Sequence, residues 1–162
     1  MFDVAEEVLY AKDLAHWLNR SLWLRESQAD CDQRLESLRG YGQLPRGRQN
    51  AGVRLTDLQI ANVIMGFTAA PGWAGHVALI LGGLKPVGGV QASFRSAETL
   101  QSTIAHIISS DEACDAVVSL AFITEPDHSG DDYRATLIVN EGGAKRLIHF
   151  VPDLAYSLQQ PG

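Results

Sequence analysis

Apolar positions in Val4–Asn19 recur three and four residues apart. Leu9, Leu14, Trp17 and Leu18, with Ala11 and Ala15, share one face and predict a helix stopping at Asn19-Arg20-Ser21. A second helix is predicted over Ser27–Tyr41. Ser27 caps it, Asp30 and Asp32 sit in its early turns, and Gly42 follows its end. Its inward positions are Ala29 or Cys31, Leu35 and Leu38, leaving Arg34 and Arg39 to point elsewhere. Thr56 and Asp57 open a third helix running to about Phe67, with Leu58, Ile60, Ala61, Ile64 and Met65 on its apolar face. Ala70-Pro71-Gly72 breaks it. A short, very apolar helix over Gly75–Leu84 ends at Gly82-Gly83 and Lys85-Pro86. Ser96–Ile108 is amphipathic, with Leu100, Ile104, Ile107 and Ile108 inward.

The period then changes. Ala116–Thr124 is rich in Val, Leu, Phe and Ile and predicts a strand. Tyr133–Asn140 and Ala144–Val151 are strands around Glu141-Gly142-Gly143, a hairpin signal. Phe122, Leu137, Val139, Leu147, His149 and Val151 are the positions expected on the covered face. Val53-Arg54-Leu55 reads as a short returning strand, and no internal repeat is evident. The fold class is therefore α+β: an N-terminal helical module over 1–86, and a small domain of one helix and an antiparallel sheet over 90–162. Val87-Gly88-Gly89-Val90 is the expected boundary. Three strands leave open edges, and a second protomer is one way to close them.

The chain has 162 residues, of which 46% are hydrophobic and 20% charged, enough for a core and against disorder. The longest uncharged stretch, Leu58–Leu84, contains Gly, Pro, Asn, Gln, Thr and His, so no membrane span is expected. The acids in MFDVAEEVLY argue against a signal peptide and for a cytoplasmic protein. Cys31 and Cys114 read as reduced thiols, each able to serve as a small buried apolar residue.

The formal net charge is −6, but it is unevenly placed. Residues 1–33 carry net −4 and residues 111–162 net −6. Residues 34–54 carry net +4, from Arg34, Arg39, Arg46, Arg48 and Arg54 against Glu36. This cationic island between acidic flanks is where nucleic-acid chemistry is to be sought.

Arg34-Leu35-Glu36-Ser37-Leu38-Arg39-Gly40-Tyr41-Gly42-Gln43-Leu44-Pro45 is followed by Arg46-Gly47-Arg48. This stretch, with the helix before it, resembles the winged helix-turn-helix of DNA-binding regulators of bacterial and phage type. The resemblance covers about residues 9–66. It implies a recognition helix in the major groove, leucines holding that helix to the domain, and a glycine-turned basic wing on the phosphates. On that pattern Arg34 and Arg39 lie along the recognition helix, Gln28 and Gln33 read bases, and Arg46, Arg48 and Arg54 contact phosphate. The expected function is a non-enzymatic, homodimeric transcription regulator of duplex DNA, with no cofactor. Three features depart from the pattern, the first being that the block holds five basic residues and not ten. The linker Arg20–Glu26 is long and holds Leu22, Trp23 and Leu24, more than a tight turn needs. Asp30, Asp32 and Glu36 on the proposed recognition helix would repel phosphate. The rival reading is a non-enzymatic protein-interaction module, such as a phage-encoded adaptor or inhibitor of a host nucleic-acid-binding complex.

Other constellations carry less. Leu81–Gly89 holds glycines and Lys85 but lacks the phosphate-loop arrangement, so it reads as a helix stop and linker. Glu125, Asp127, His128, Asp131 and Asp132 could gather a divalent cation, but lack EF-hand spacing and read as a solvated loop. His16, His76, His106, His128 and His149 form no zinc or hydrolase motif.

Overall fold

The computed structural model describes residues 10–46, 54–87, 98–124 and 132–152. The protein is α+β, mixing helices with a four-stranded antiparallel sheet. It divides into two compact units, Met1–Leu79 and Ile80–Gly162.

In the first unit, α1 spans Ala11–Ser21 and α2 spans Gln28–Gly40. Leu14, Ala15 and Leu18 form the buried stripe of α1. Ser27 caps α2 through a reciprocal box. Its hydroxyl accepts from the Asp30 amide, and the Asp30 carboxylate accepts from the Ser27 amide. Thr56 and Gln59 make the same arrangement at the start of α3, Asp57–Gly66. A single 3₁₀ turn, Pro71–Trp73, leads into α4, Ala74–Gly82. Gly75 permits close approach there: a Cβ would clash with the Ser37 carbonyl and the Tyr41 ring. The Ser37 hydroxyl bridges this turn, accepting from the Gly75 amide at 2.9 Å and donating to the Gly72 carbonyl at 3.2 Å.

In the second unit, α5 covers Leu100–Ser109 and α6 covers Asp111–Ala116. Thr99 caps α5 and Ser110 caps α6. The strands are β1, Lys85–Pro86; β2, Val117–Ile123; β3, Arg134–Glu141; and β4, Ala144–Val151. Their order is β1-β4-β3-β2, antiparallel throughout. Gly142 and Gly143 both have positive φ, which the two-residue β3–β4 turn requires.

Several expectations change. The division falls inside α4, ahead of the glycine-rich stretch read as the boundary. Residues 84–87 already belong to the second unit: Lys85 pairs with Val151, and the Leu84 carbonyl accepts from the Leu100 amide. The sheet therefore gains a fourth strand. The covered face of β4 is Ile148 and Phe150, because they lie opposite Leu137 and Ala135; Leu147 and His149 face outward. Arg54 and Leu55 are not in a strand, and Val53 lies outside the described residues. Cys31 is buried as expected of a small apolar residue, whereas Cys114 is exposed on α6. Among the described residues no helix is long and apolar enough to cross a membrane.

Candidate interaction surface

Arg34 is the residue whose place differs most from expectation. Cys31, Arg34, Leu35 and Leu38 form the buried stripe of α2, and Arg34 is 1% exposed. Its guanidinium donates to the Gly66 carbonyl at 2.8 Å and to the Ala69 carbonyl, pairs with the Glu26 carboxylate, and stacks 4.5 Å over the Phe67 ring. The end of α3 leaves carbonyls without helical partners, and a cation placed there satisfies them. Arg34 thus closes α3 and is corrected from a groove-reading residue to a structural one.

The other expected contacts are spread out. Gln28 is exposed and donates to Asp32 at 2.9 Å; Gln33 is exposed near Gly72. Arg39 is half-buried and paired with exposed Glu36 at 2.6 Å. Arg46 is exposed and donates to the Arg39 and Gly40 carbonyls at 3.0 and 3.2 Å, which caps the end of α2. Arg54 is exposed, and Arg48 lies outside the described residues. The exposed positions of α2 include Gln28, Ala29, Asp32, Gln33 and Glu36, a face with acids and no unpaired cation. The segment leading into the expected wing is packed down: Gln43 and Leu44 are buried, and Asn62 of α3 donates to the Gln43 carbonyl at 3.2 Å; residues 47–53 of the wing itself lie outside the described residues.

The α1–α2 linker holds a highly exposed apolar cluster among the described residues. Asn19 clamps its base: the side-chain amide donates to the Glu26 carbonyl at 3.1 Å, and its oxygen accepts from the Glu26 amide at 2.9 Å. Inside the clamp, the Trp23 amide donates to the Arg20 carbonyl and the Leu24 amide to the Asn19 carbonyl. Trp23 and Arg25 both adopt φ of 55°, a left-handed conformation that is costly for bulky residues. The loop projects Leu22, Trp23 and Leu24; Trp23 is 79% exposed. Arg20 and Arg25 flank them, exposed and in no ion pair among the described residues. Glu26 fixes the loop twice, through its backbone to Asn19 and through its carboxylate to Arg34.

Neither a family model, a curated protein nor a solved structure gives a significant match to this chain.

Two further features complete the unit. Tyr41 and Trp73 are exposed and meet the His76 ring edge-on, at centroid distances of 6.1 and 5.5 Å. A cavity of about 200 Å³ opens between α1 and α2, with Ala15, Cys31 and Leu35 at its floor and Lys12, His16 and Gln28 at its rim. Burial, then the nearby Glu26 carboxylate, pushes the Cys31 thiol above its ordinary range, which disfavours the thiolate that nucleophilic chemistry needs. Asp132 of the acidic segment read as a solvated loop is exposed; Glu125, Asp127, His128 and Asp131 lie outside the described residues. Among the described residues no group of three metal-ligating side chains is gathered. Sequence reasoning missed Glu26 and Asn19. Their signal was the length of the linker itself, which has to be closed by something.

Proposed function

We propose that the chain is a non-enzymatic protein-interaction module whose N-terminal unit docks on a partner protein through the loop 20–25. The partner surface is an apolar cleft with an acidic rim: Trp23 and its leucines fill the cleft, and Arg20 and Arg25 meet the rim. The observation that carries this reading is a largely exposed tryptophan, Trp23, held in a left-handed backbone by a clamped loop. Large exposed aromatics beside arginine are the side chains that dominate protein–protein affinity. A loop already hydrogen-bonded into one conformation loses little entropy on binding.

The test uses the immobilised chain, one captured protein purified in turn, and direct titration of the pair. Trp23→Ala is expected to weaken that pair at least tenfold, and Arg20→Glu with Arg25→Glu to slow association and flatten its salt dependence. Both variants should melt like the parent. Binding that is indifferent to all three substitutions would remove the loop from the interface.

A second reading, duplex DNA bound by a winged-helix dimer, is favoured by one observation: Arg46 and Arg54 are exposed on the segment after α2. In this reading the phosphate contacts are Arg46, Arg48 and Arg54, and Arg39 lies along the helix without Arg34. It expects a labelled random duplex to shift at low salt and to release when Arg46→Ala is combined with Arg48→Ala, while Trp23→Ala has no effect.

A further inference from the structure

The two edges of the sheet are built differently. β1 is two residues long and consists of a lysine and a proline. Short length, positive charge and proline are each means by which an edge avoids pairing with another strand. β2 has none of them. Its seven residues, Val117-Val118-Ser119-Leu120-Ala121-Phe122-Ile123, contain no charge and no proline. It pairs only with β3 among the described residues, so its far side presents a row of backbone donors and acceptors.

The side chains make the same point. Leu120 and Phe122 lie opposite Leu137 and Ala135, on the covered face of the sheet. Leu137 and Ala135 are buried, yet Leu120 and Phe122 are only half-buried, and no residue of β2 is buried. The difference is their position at the rim: on the side away from β3, no described strand lies beyond them. A further strand there would complete their cover and satisfy the backbone at once.

We infer that β2 pairs antiparallel with β2 of a second copy of this chain, giving a continuous eight-stranded sheet across a two-fold axis near Leu120. Antiparallel self-pairing sets Ser119 opposite the partner's Ala121 and brings no like charges together, as it must when a strand meets itself. One strand edge is at the small end of specific interfaces, below about 1,200 Å² in total, so the dimer dissociates in the micromolar range.

Sedimentation equilibrium of the full chain at tens of micromolar tests this. The parent is expected at twice the chain mass. Ser119→Lys with Ala121→Lys changes two exposed positions and is expected at the chain mass with an unchanged circular dichroism spectrum. Ser119→Glu with Ala121→Glu should behave likewise. An equimolar mixture of the two should recover the dimer, which an unfolded variant does not do. A monomeric parent, as when another part of the chain covers the edge, overturns the inference. So does a lysine variant that stays dimeric, or a mixture that stays monomeric.

Discussion

Arg34 shows how one side chain reverses the meaning of a stretch of sequence. A buried cation whose partner is removed leaves an uncompensated charge, and so does a carboxylate that loses its cation. Arg34→Ala is expected to destabilise the unit by about 3–5 kcal/mol, read as a fall in the denaturant midpoint. Arg34→Met combined with Glu26→Gln should recover part of that loss, because neither charge is then stranded; equal losses from Arg34→Met alone and from the pair would contradict the coupling. This residue was legible in part. Cys31, Arg34, Leu35 and Leu38 fall at helical spacing, so position 34 is inward by period. Reading it as outward followed from its charge, which is the usual rule and fails when a carboxylate and free carbonyls wait inside. The two cysteines diverge for the same reason of place. At pH 7–8 a thiol reagent should titrate Cys114 promptly and Cys31 only on unfolding. The raised thiol of Cys31 favours the folded state fully below the ordinary thiol range, and that contribution fades as pH climbs through it. A parent whose two thiols react at one rate would contradict this.

At the scale of elements, caps and turns were the readable part. Ser27, Thr56 and Gly142-Gly143 act where their chemistry says they should. What misled was phase. β4 alternates in both directions, since Leu147, Ile148, His149, Phe150 and Val151 are nearly all large, and only the register against β3 selects Ile148 and Phe150. β1 is too short to leave a period. The loop 20–25 owes its shape to the Asn19 clamp, which appears only when residues 19 and 26 come together. Asn19→Ala deletes two hydrogen bonds and is expected to cost about 1–3 kcal/mol. It should also release the protected amides of Trp23, Leu24 and Glu26 to hydrogen exchange. Protection that survives the substitution would mean that another feature holds the loop. Gly75→Ala at the junction of α2 and α4 should destabilise by forcing Ser37 and Tyr41 aside, checked by thermal melting.

For the whole molecule, the described arginines of the cationic block do not act together on the outer face of α2, and Arg46 and Arg54 are exposed only on the segment after it. Arg34 is inside, Arg39 is balanced by Glu36, and Arg46 closes a helix end. The outer positions of α2 carry Asp32 and Glu36, and the conspicuous apolar surface of the helical unit lies on the loop before it. Charge summed along a chain predicts solubility and steering, but not which guanidinium groups reach solvent. The α+β class and most element positions were legible because hydrophobic period and turn residues are local. The placement of the arginines was not, because it depends on segments far apart in sequence.

The most direct measurement is site-specific photo-crosslinking in cells of the source organism, with a photoreactive phenylalanine in place of Trp23 and, separately, in place of Ala29 on exposed α2. The loop account predicts one discrete protein adduct from position 23, lost when Arg20→Glu and Arg25→Glu are added, and none from position 29. A nucleic-acid adduct, an adduct from position 29 alone, or no adduct from position 23 would contradict it.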